Sequence, residues 1–345
     1  MLVIVENIEQ AVNKLSIKKA AGIDGITFEH ILYSHPCLIV HLKLLFHMML
    51  LHGYVPNNFG LGIVVPILKD KNGDQTSIDN YRPVTLSPTI SKIFESVLLM
   101  NYGNYLYSDD RQFGFKKTMG CRNAIFAVRN VINYFNERGS NVFIASLDAA
   151  KAFDRVNHFK LYTSLMKRNI PTAFLNVVIN WYSKMNVIVR WNNSLSAMLR
   201  VKSGVRQGGV LSPYLFNVYA DVFIKNIVTK NVGCHIGHTC MACMMYADDI
   251  LLMSASLAGL QELLDECVLT SNEICLKFNE KKSHCIIIGP HQHAFVANVV
   301  LCGTSLMWEN SIKYLGIDLM AGSSFEVDLD QVRGKFFVSA NSINI

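Results

Sequence analysis

Apolar residues recur at helical spacing in several stretches of the chain. The clearest stretch follows Ser87-Pro88, a capping residue and a proline suited to the first helical position, and it predicts a helix through residues 90–98. The same spacing predicts helices near the N-terminus, after Thr27 and from about Asn123. The apolar positions of the N-terminal helix, of this helix and of a later amphipathic one are Ile8, Val12, Leu15, Ile90, Ile93, Phe94, Val97, Leu98, Leu260, Leu263, Leu264 and Cys267.

Short apolar runs bounded by polar residues predict β-strands. Residues 142–147 form such a run, which ends at Asp148, and a helix is expected to continue over residues 149–167. Further strands are expected at residues 285–288 and 312–319. The first of these strands is notable because a carboxylate lies at its end.

Two pairs of apolar runs predict β-hairpins. Residues 63–68 lead into a basic tip at residues 69–74, which is rich in turn formers, and the return arm carries Tyr81-Arg82-Pro83. Residues 241–253 form a second, tighter antiparallel hairpin in which Ala247-Asp248-Asp249 separates the two arms. Carboxylates are therefore expected at the tip of that hairpin.

Composition indicates an ordered globular protein. The chain has 345 residues, of which 51% are hydrophobic, enough for two or three subdomains. Residues 37–55 are strongly apolar, but His41, Lys43, His47 and His52 interrupt them, whereas a spanning helix needs roughly 20 apolar residues. We therefore expect a buried helix there and no membrane partner. Without a secretory signal the protein is expected inside the cell, in the nucleus or the cytoplasm.

Charge and cysteine content add two weaker expectations. The net charge of +6, from 32 Lys and Arg against 26 Asp and Glu, is compatible with a polyanionic partner without requiring one. Nine cysteines without framework spacing indicate reduced thiols. The pattern leaves the oligomeric state open.

The acidic residues at the strand end and the hairpin tip point to metal-dependent chemistry. Asp148, Asp248 and Asp249 can converge, and three convergent carboxylates repel each other unless cations lie between them. Oxygen ligands suit Mg²⁺, and a pair of such ions supports in-line phosphoryl displacement. Considered alone, Asp248-Asp249 also fits a solvated turn, where Asp is common.

Longer motifs carry a family resemblance. Residues 245–252, Met-Tyr-Ala-Asp-Asp-Ile-Leu-Leu, resemble the signature hairpin of reverse transcriptases. Residues 143–156 resemble the first catalytic motif of LINE-type enzymes, in which a leading Asp is followed by Ala-Phe-Asp. Residues 203–216 resemble the second motif of the family, and the motifs occur in the family's order. Over about residues 18–319 the chain is thus similar to the reverse transcriptases of non-LTR retrotransposons.

The resemblance implies an α+β fold, the right-hand polymerase, whose palm is an RRM-like antiparallel sheet with helices. Residues 1–107 would form the fingers and residues 108–319 the palm. Residues 320–345 would be the start of a thumb or a truncated tail, so the thumb would be largely absent. Residues 312–317 resemble the closing palm motif, a hairpin that supports the primer strand.

The resemblance also assigns metal ligands. Asp148 and Asp248 would be the principal ligands, Asp249 a supporting one, and the Ala149 carbonyl a further one. The metal would be two Mg²⁺ ions, for which Mn²⁺ is a possible substitute. Asp154 would structure the start of a helix or bind the template. These assignments make Asp148, Asp248 and Asp249 catalytic.

Further residues are implied to bind the substrate. Phe153 would pack under the incoming sugar and exclude a 2′-hydroxyl, although a core phenylalanine remains an alternative. Gln207 and Gly208 would line the nucleotide and template-base site, which also includes Tyr246 of the signature hairpin. The cations that would hold the triphosphate are Lys69, for which a plain solvated lysine is the alternative, and Arg82.

Three other segments have candidate roles. Lys282, in the family's lysine position, would protonate the leaving pyrophosphate, unless it belongs to an ordinary charged turn. Residues 111–117 interleave cations with aromatics and resemble a template-proximal segment, from which the following residues 118–124 depart. The Cys and His residues within residues 234–243 match no standard zinc spacing and are expected to be packing residues.

The resemblance implies an RNA-directed DNA polymerase that extends a DNA primer with deoxynucleotides (dNTPs) on an RNA template. DNA remains possible as template. One rival is a truncated, inactive retroelement remnant that only binds nucleic acid, and another is a group II intron-type reverse transcriptase. A viral RNA polymerase is a weaker rival, because such enzymes usually carry Gly-Asp-Asp at the hairpin, whereas Ala247 and Phe153 favour the deoxynucleotide enzyme.

Overall fold

The structure of the chain is a computed structural model that describes residues 3–71, 73–292 and 296–341. Helices account for much of it, with short 3₁₀ turns between several of them. In chain order the helices are α1 (Val5–Asn13), α2 (Phe28–Leu32), α3 (Cys37–His52), α4 (Thr89–Tyr102), α5 (Cys121–Asn136), α6 (Ala152–Arg155), α7 (His158–Met166), α8 (Thr172–Ser183), α9 (Ser212–Lys230), α10 (Leu257–Glu273) and α11 (Asp330–Asn341).

The strands form small, mostly antiparallel sheets. In chain order they are β1 (Leu61–Leu68), β2 (Tyr81–Leu86), β3 (Val142–Asp148), β4 (Asn186–Trp191), β5 (Ser194–Leu195), β6 (Leu199–Arg200), β7 (His235–Ile236), β8 (Thr239–Cys240), β9 (Cys243–Tyr246), β10 (Asp249–Ser254), β11 (His284–Ile288), β12 (Val300–Leu301), β13 (Thr304–Ser305), β14 (Ser311–Tyr314), β15 (Ile317–Met320) and β16 (Glu326–Asp328).

The chain divides into two compact units, and it passes between them more than once. The first unit comprises Met1–Tyr107 and Phe153–Tyr219. The second unit comprises Ser108–Ala152 and Ala220–Ile345. Among the described residues, no helix is both long enough and apolar enough to cross a membrane.

The first unit is built on a mixed sheet in the order β2-β1-β4-β5, in which β6 also pairs with β4. The predicted β1–β2 hairpin is confirmed, and Ile67 lies opposite Arg82. The parallel pairing of β1 with β4 joins residues more than 120 positions apart, such as Leu61 and Asn186. An aromatic core lies beside the sheet, where the Phe94 ring is 4.8 Å from Phe46 and 5.7 Å from Trp181.

The second unit is built on a four-stranded sheet in the order β11-β3-β10-β9, with every neighbouring pair antiparallel. The chain order β3, β9, β10, β11 with β3 and β10 in the centre is that of the split βαβ motif. Residues of α5, of the sheet and of the β14–β15 hairpin share one buried apolar cluster. Helix α10 packs against β3 and β10. The expected α+β fold with an antiparallel sheet is confirmed.

Helix α3 departs from expectation, because it is buried on one side only. Leu42 and Phe46 are buried, whereas Leu44, Met48 and Leu51 are 51%, 49% and 67% exposed. We call the outward row Val40, Leu44, Met48 and Leu51 the α3 stripe. The polar residues of α3 do not form one face, because His41 and His52 lie on one side of the helix and Lys43 and His47 on the opposite side. The sequence therefore did not distinguish the exposed face from the buried one.

The helix expected over residues 149–167 is interrupted. Helix α6 ends at Arg155 and α7 begins at His158, with Asn157 as its N-cap, whose side chain accepts a hydrogen bond from the Lys160 amide. The carbonyls of Phe153 and Val156 instead accept hydrogen bonds from the segment around Gly204. A contact distant in sequence therefore replaces the continuing helical bonds.

Two smaller expectations are also corrected. Helix α4 begins one residue later than expected, with Pro88 in the cap position, and Ser87 does not cap it. The single strand expected over residues 312–319 is a hairpin of β14 and β15, as the closing palm motif implied. Leu315 and Gly316 both have positive φ, 49° and 86°, which allows the tight turn between the strands.

Candidate active site

Two carboxylates face each other across adjacent strands of the second unit. Asp148 ends β3, Asp249 begins β10, and the two residues are direct partners in the antiparallel register. Directly opposed residues in such a pair have Cβ atoms about 5 Å apart on the same face of the sheet. Asp248 precedes Asp249 in the turn between β9 and β10. The three predicted carboxylates therefore lie at one end of the sheet.

The charges of these carboxylates oppose each other. The pKa of Asp249 is raised to about 6, first because burial desolvates the carboxylate and then because Asp248 and Asp148 carry like charge. The side chain of Asp249 also reaches solvent, which screens part of this repulsion. A cation bound at this end of the sheet would remove the repulsion.

The ligand set fits a magnesium site that the substrate completes. Among residues 3–71, 73–292 and 296–341, no three His, Cys, Asp or Glu side chains converge as a ready-made metal site. Mg²⁺ is usually held by one or two carboxylates, and water and substrate phosphates complete its coordination. The opposed Asp148 and Asp249 supply hard oxygen donors of that kind.

Residues 278–283, just before β11, are hydrogen-bonded to the end of β3. The Asp148 amide donates to Ser283 Oγ at 3.2 Å, and the Asn279 amide donates to the Asp148 carbonyl at 2.9 Å. Ala149 is buried and forms an isolated antiparallel β-bridge with Phe278. Neither of the two hydrogen bonds at Asp148 involves the Ala149 carbonyl. Lys282 is exposed and directly precedes Ser283, so it belongs to the same segment.

Tyr246 ends β9 and lies opposite Asp249 in the hairpin. The pKa of its hydroxyl is raised, chiefly by a hydrogen bond with the Cys121 thiol and also by burial. The predicted tight hairpin is thus confirmed, with Ala247 and Asp248 as its two turn residues. Ala247 has a left-handed φ of 57°, which is uncommon for a residue other than glycine.

In the first unit, the glycine-bearing motif of residues 203–216 contacts Asp154, near the end of the first catalytic motif, and strand β2. Gln207 Nε2 donates to Asp154 Oδ1 at 2.9 Å, and the Gln207 carbonyl accepts from the Thr85 amide at 2.8 Å. Gly208 has a φ of 107°, and a Cβ there would lie 3.0 Å from the Thr85 carbonyl oxygen. Glycine at this position therefore allows the close approach of β2.

Phe153 is half-buried, and its ring stacks on Phe216 at 4.4 Å with an interplanar angle of 12°. Lys69 follows β1, and its Nζ donates to the Asp79 carbonyl at 2.9 Å. Arg82 is exposed on β2. The ammonium of Lys69 is thus engaged within its own loop, whereas the Arg82 guanidinium faces solvent.

The predicted site residues are divided between the two units. The second unit contains Asp148, Ala149, Tyr246, Asp248, Asp249 and Lys282, and the first unit contains Lys69, Arg82, Phe153, Gln207 and Gly208. Within the second unit, Asp148, Tyr246 and Asp249 are joined by strand pairing. Within the first unit, Gln207 contacts Asp154 rather than another predicted site residue.

Sequence reasoning did not find the buried acid Glu95. It accepts a hydrogen bond from the Leu211 amide at 2.9 Å, and burial raises its pKa, although the nearby Arg206 opposes that shift. Arg206 is itself buried and donates to the Phe59 carbonyl at 2.9 Å. The pattern gave no signal for it, because Glu95 lies outside the apolar row of α4 that includes Phe94 and Val97. Glu95 fixes the start of α9 from within the first unit.

The three cysteines within residues 234–243 pack as expected, whereas His235 is only half-buried and His238 is exposed. Cys234, Cys240 and Cys243 are buried, and burial raises the pKa of the Cys243 thiol. Strands β7 and β8 form a hairpin that pairs His235 with Cys240. Cysteines 234 and 243 thus contribute to the apolar packing of the second unit.

Comparison with known proteins gives one family. The model of the family described as "Reverse transcriptase (RNA-dependent DNA polymerase)" matches residues 68–319. The "Retrovirus-related Pol polyprotein from type-2 retrotransposable element R2DM" of Drosophila melanogaster is 27% identical over 90% of this chain and 29% of its own length. The "RNA-directed DNA polymerase from mobile element jockey" of the same species is 26% identical over 97% of this chain and 37% of its own length.

These relatives are much longer, and the chain spans about a third of their length. Among solved structures, apo telomerase from Candida tropicalis matches with a TM-score of 0.56 and 13% identity over 85% of this chain and 53% of that chain. A form of it truncated from the C-terminal domain matches with a TM-score of 0.54. At such low identity the likeness concerns the fold alone.

Proposed function

The chain belongs to the reverse transcriptase (RNA-dependent DNA polymerase) family, and we propose on that basis that it extends a primer 3′-hydroxyl with deoxynucleotides on an RNA template. The predicted resemblance to the enzymes of non-LTR retrotransposons is confirmed by the match to retrotransposon and mobile-element relatives. The expected polymerase fold is confirmed by the likeness to telomerase. Activity, template and primer are our proposals for this chain.

The opposed pair Asp148 and Asp249 carries the proposal. Two strands of one sheet bring these carboxylates together, and Asp248 is adjacent in the turn. Such an arrangement costs stability, because like charges lie directly opposite each other. Stored repulsion of this kind clusters at functional sites, where a ligand relieves it. We assign Asp148 and Asp248 as principal ligands and Asp249 as a supporting one.

The cofactor fits this ligand set. Two Mg²⁺ ions, or Mn²⁺ in their place, would supply positive charge that activates the primer hydroxyl and stabilises the departing pyrophosphate. Asp148 and Asp248, supported by Asp249, would present carboxylate oxygens to them, and the Ala149 carbonyl would add a further ligand. Bonds to Ser283 and Asn279 hold the backbone of Asp148, so its carboxylate is presented from a fixed strand end.

The remaining residues would bind and orient the nucleotide. Arg82, exposed on β2, and Lys69 would hold the triphosphate, after Lys69 exchanges its bond to the Asp79 carbonyl for a phosphate oxygen. Phe153, Tyr246, Gln207 and Gly208 would line the sugar and base site. In this proposal residues 1–107 supply the fingers and residues 108–319 the palm.

Lys282 would donate the proton that the leaving pyrophosphate requires. Its position supports this assignment, because it precedes Ser283, which bonds the Asp148 amide. The exposed ammonium can move on its flexible side chain towards a bound triphosphate. RNA template and DNA primer would be held mainly through their phosphates, which accords with the net charge of +6.

Primer extension tests the proposal. Purified protein is given a poly(rA)/oligo(dT) duplex, Mg²⁺ and deoxythymidine triphosphate, beside an Asp248→Asn, Asp249→Asn variant and the matched control Asp265→Asn. Asp265 is an exposed carboxylate on α10. Extension by the wild type and by Asp265→Asn, but not by the double variant, is expected. Duplex binding without extension would instead favour the inactive, nucleic-acid-binding remnant.

A further inference from the structure

The side chain of Gln112 holds both backbone groups of Ala247. Its Oε1 accepts a hydrogen bond from the Ala247 amide at 2.9 Å, and its Nε2 donates to the Ala247 carbonyl at 3.3 Å. The same Oε1 accepts from the Gly114 amide at 2.9 Å. Gln112 is 1% exposed, so these bonds lie out of water. The Gln112 side chain therefore satisfies both backbone hydrogen-bonding groups of Ala247. Ala247 is the first residue of the turn Ala247-Asp248, which we call the carboxylate turn.

The backbone beside Gln112 runs along β9. The Phe113 amide donates to the Met245 carbonyl at 2.8 Å, and the Met245 amide donates to the Arg111 carbonyl at 2.9 Å. Gly114 lies against the turn so closely that a Cβ on it would be 2.5 Å from the Ala247 nitrogen. The segment thus adds a short parallel partner to the hairpin and reaches to its tip.

The segment that carries Gln112 is itself fixed. Arg111 donates from Nε to the Cys240 carbonyl at 2.7 Å and pairs with the Asp109 carboxylate at 2.8 Å. The Asp109 amide donates to Asp221 Oδ1 at 2.7 Å, and Lys116 Nζ donates to the Asp109 carbonyl at 2.7 Å. These bonds leave little freedom for Gln112 to follow a moving turn. The amide is therefore a rigid support.

The turn needs such a support for two reasons. Ala247 holds a left-handed φ of 57°, which is unfavourable for a residue other than glycine. The following carboxylates repel each other and Asp148, a force that tends to spread the hairpin from β3. Without restraint the turn would relax in either respect, and Asp249 would move away from its position opposite Asp148.

We propose that Gln112 is a positioning residue that clamps Ala247 and so aims Asp248 and Asp249 at the metal and the substrate. The proposal rests on the proposed polymerase function. Gln112 lies in the segment of residues 111–117. Its amide is buried and contacts Ala247 within the second unit. A purely structural glutamine would stabilise the fold without affecting metal binding.

Gln261 provides a matched control. Its Oε1 accepts from the Val300 amide at 2.8 Å, and its Nε2 donates to the Val300 carbonyl at 3.0 Å, the same two-way clasp of one backbone residue. It lies on α10, away from the carboxylate turn in sequence and on another element. Gln261 Nε2 also donates to Asp265 Oδ1 at 2.8 Å, as Gln112 Oε1 also accepts from Gly114. Gln112→Met and Gln261→Met each remove these bonds while keeping a side chain of similar length.

Two measurements need no polymerase activity. Amide hydrogen exchange is followed at Ala247 and Val300, and binding of Mn²⁺ alone is followed through the spectroscopic signal of the free ion. Gln112→Met is expected to speed exchange at Ala247 and to weaken Mn²⁺ binding by roughly 10-fold or more, as lost support of a ligand typically does. Gln261→Met is expected to speed exchange at Val300 and to leave Mn²⁺ affinity unchanged.

Primer extension adds the catalytic consequence. In Gln112→Met, kcat is expected to fall roughly 10- to 100-fold with little change in the KM for deoxythymidine triphosphate, while Gln261→Met retains the wild-type rate. Faster exchange at Ala247 with unchanged Mn²⁺ affinity and kcat would overturn the proposal. If Mn²⁺ affinity depends on Gln112 but the wild-type protein extends no primer, the proposed polymerase function is contradicted and the positioning role of Gln112 is not.

A second variant covers the case in which Gln112→Met does not fold. Gly114→Ala retains the Gln112 amide but places a methyl group against the Ala247 nitrogen, which must then shift. The same weakening of Mn²⁺ binding in a folded Gly114→Ala protein supports the clamp. Unchanged binding in that protein overturns it.

Discussion

Individual residues of this chain are placed where they disfavour folding. Asp249 opposes Asp148 across two strands, and burial together with its neighbours raises its pKa to about 6. Glu95 is buried within the first unit, and Ala247 holds a left-handed backbone. Two of these three residues lie at the carboxylate turn. Ala247 and Asp249 thus depart from local folding rules at the place where we propose chemistry.

Sugar discrimination is a prediction for Phe153. If its ring packs under the incoming sugar, Phe153→Ala opens space for a 2′-hydroxyl, and the preference for deoxythymidine over uridine triphosphate should fall by about 10- to 200-fold. The ratio of the two kcat/KM values in primer extension measures it. Phe216→Leu is the matched control, since it removes the stacked partner and keeps the Phe153 ring. Unchanged discrimination in Phe153→Ala would leave this ring as a packing residue.

His158 makes the stability of the chain depend on pH. Its pKa lies below the ordinary value of 6.5, because burial disfavours the imidazolium, although the bond to the Gly204 carbonyl at 2.9 Å partly opposes that shift. The unfolded chain therefore takes up this proton first. The associated stability is complete above pH 6.5 and is lost as pH falls through 6.5 towards the folded-state pKa.

His158→Gln should reduce that loss. Glutamine can donate to the Gly204 carbonyl but does not titrate, so the thermal midpoint should fall less between pH 7.5 and pH 5.5 in the variant than in the wild type. The exposed His41, which hydrogen-bonds the Cys37 carbonyl of its own helix, gives the control His41→Gln. If His158→Gln and wild type lose stability in parallel, burial of His158 does not govern the acid response.

Elements of the fold are shaped by contacts that a local pattern does not contain. The apolar spacing after Asp148 continues through residue 167, yet the helix breaks at Val156-Asn157. The reason is the Gly204 segment, whose amides bond the carbonyls of Phe153 and Val156 at 2.8 Å. By contrast, α4, α10 and the hairpin at Ala247 were predictable, because their apolar spacing and turn residues lie within each element.

Substitution by alanine should therefore destabilise the chain more at Gly204 than at Gly25, a glycine of similar backbone conformation. Both Gly204, with φ 91°, and Gly25, with φ 69°, are left-handed, so alanine costs each about 1–2 kcal/mol. Only at Gly204 would the Cβ also meet backbone atoms of Asp154, at 2.8 Å, which adds about 1–3 kcal/mol of overpacking. Thermal unfolding should show a clearly lower midpoint for Gly204→Ala than for Gly25→Ala. Equal midpoints would mean that the contact is easily relieved.

The molecule as a whole shows which parts of the site could be predicted. The carboxylates, their strand and their hairpin were identified from sequence, because each lies at the boundary of a regular element. The contacts of Gln112 and Ser283 were not predicted, because each of these side chains bonds a residue more than 130 positions away. The division of the chain at residues 107, 152 and 219 also depends on long-range pairing, such as that of β1 with β4.

The α3 stripe has a practical consequence for anyone handling this chain. Its four apolar side chains form a row that faces water, and exposed apolar rows of this kind favour adhesion to other apolar surfaces. Sulfate and phosphate buffers strengthen such adhesion, because these ions favour the burial of apolar surface. Chloride buffers with a mild detergent are therefore the better choice for purification.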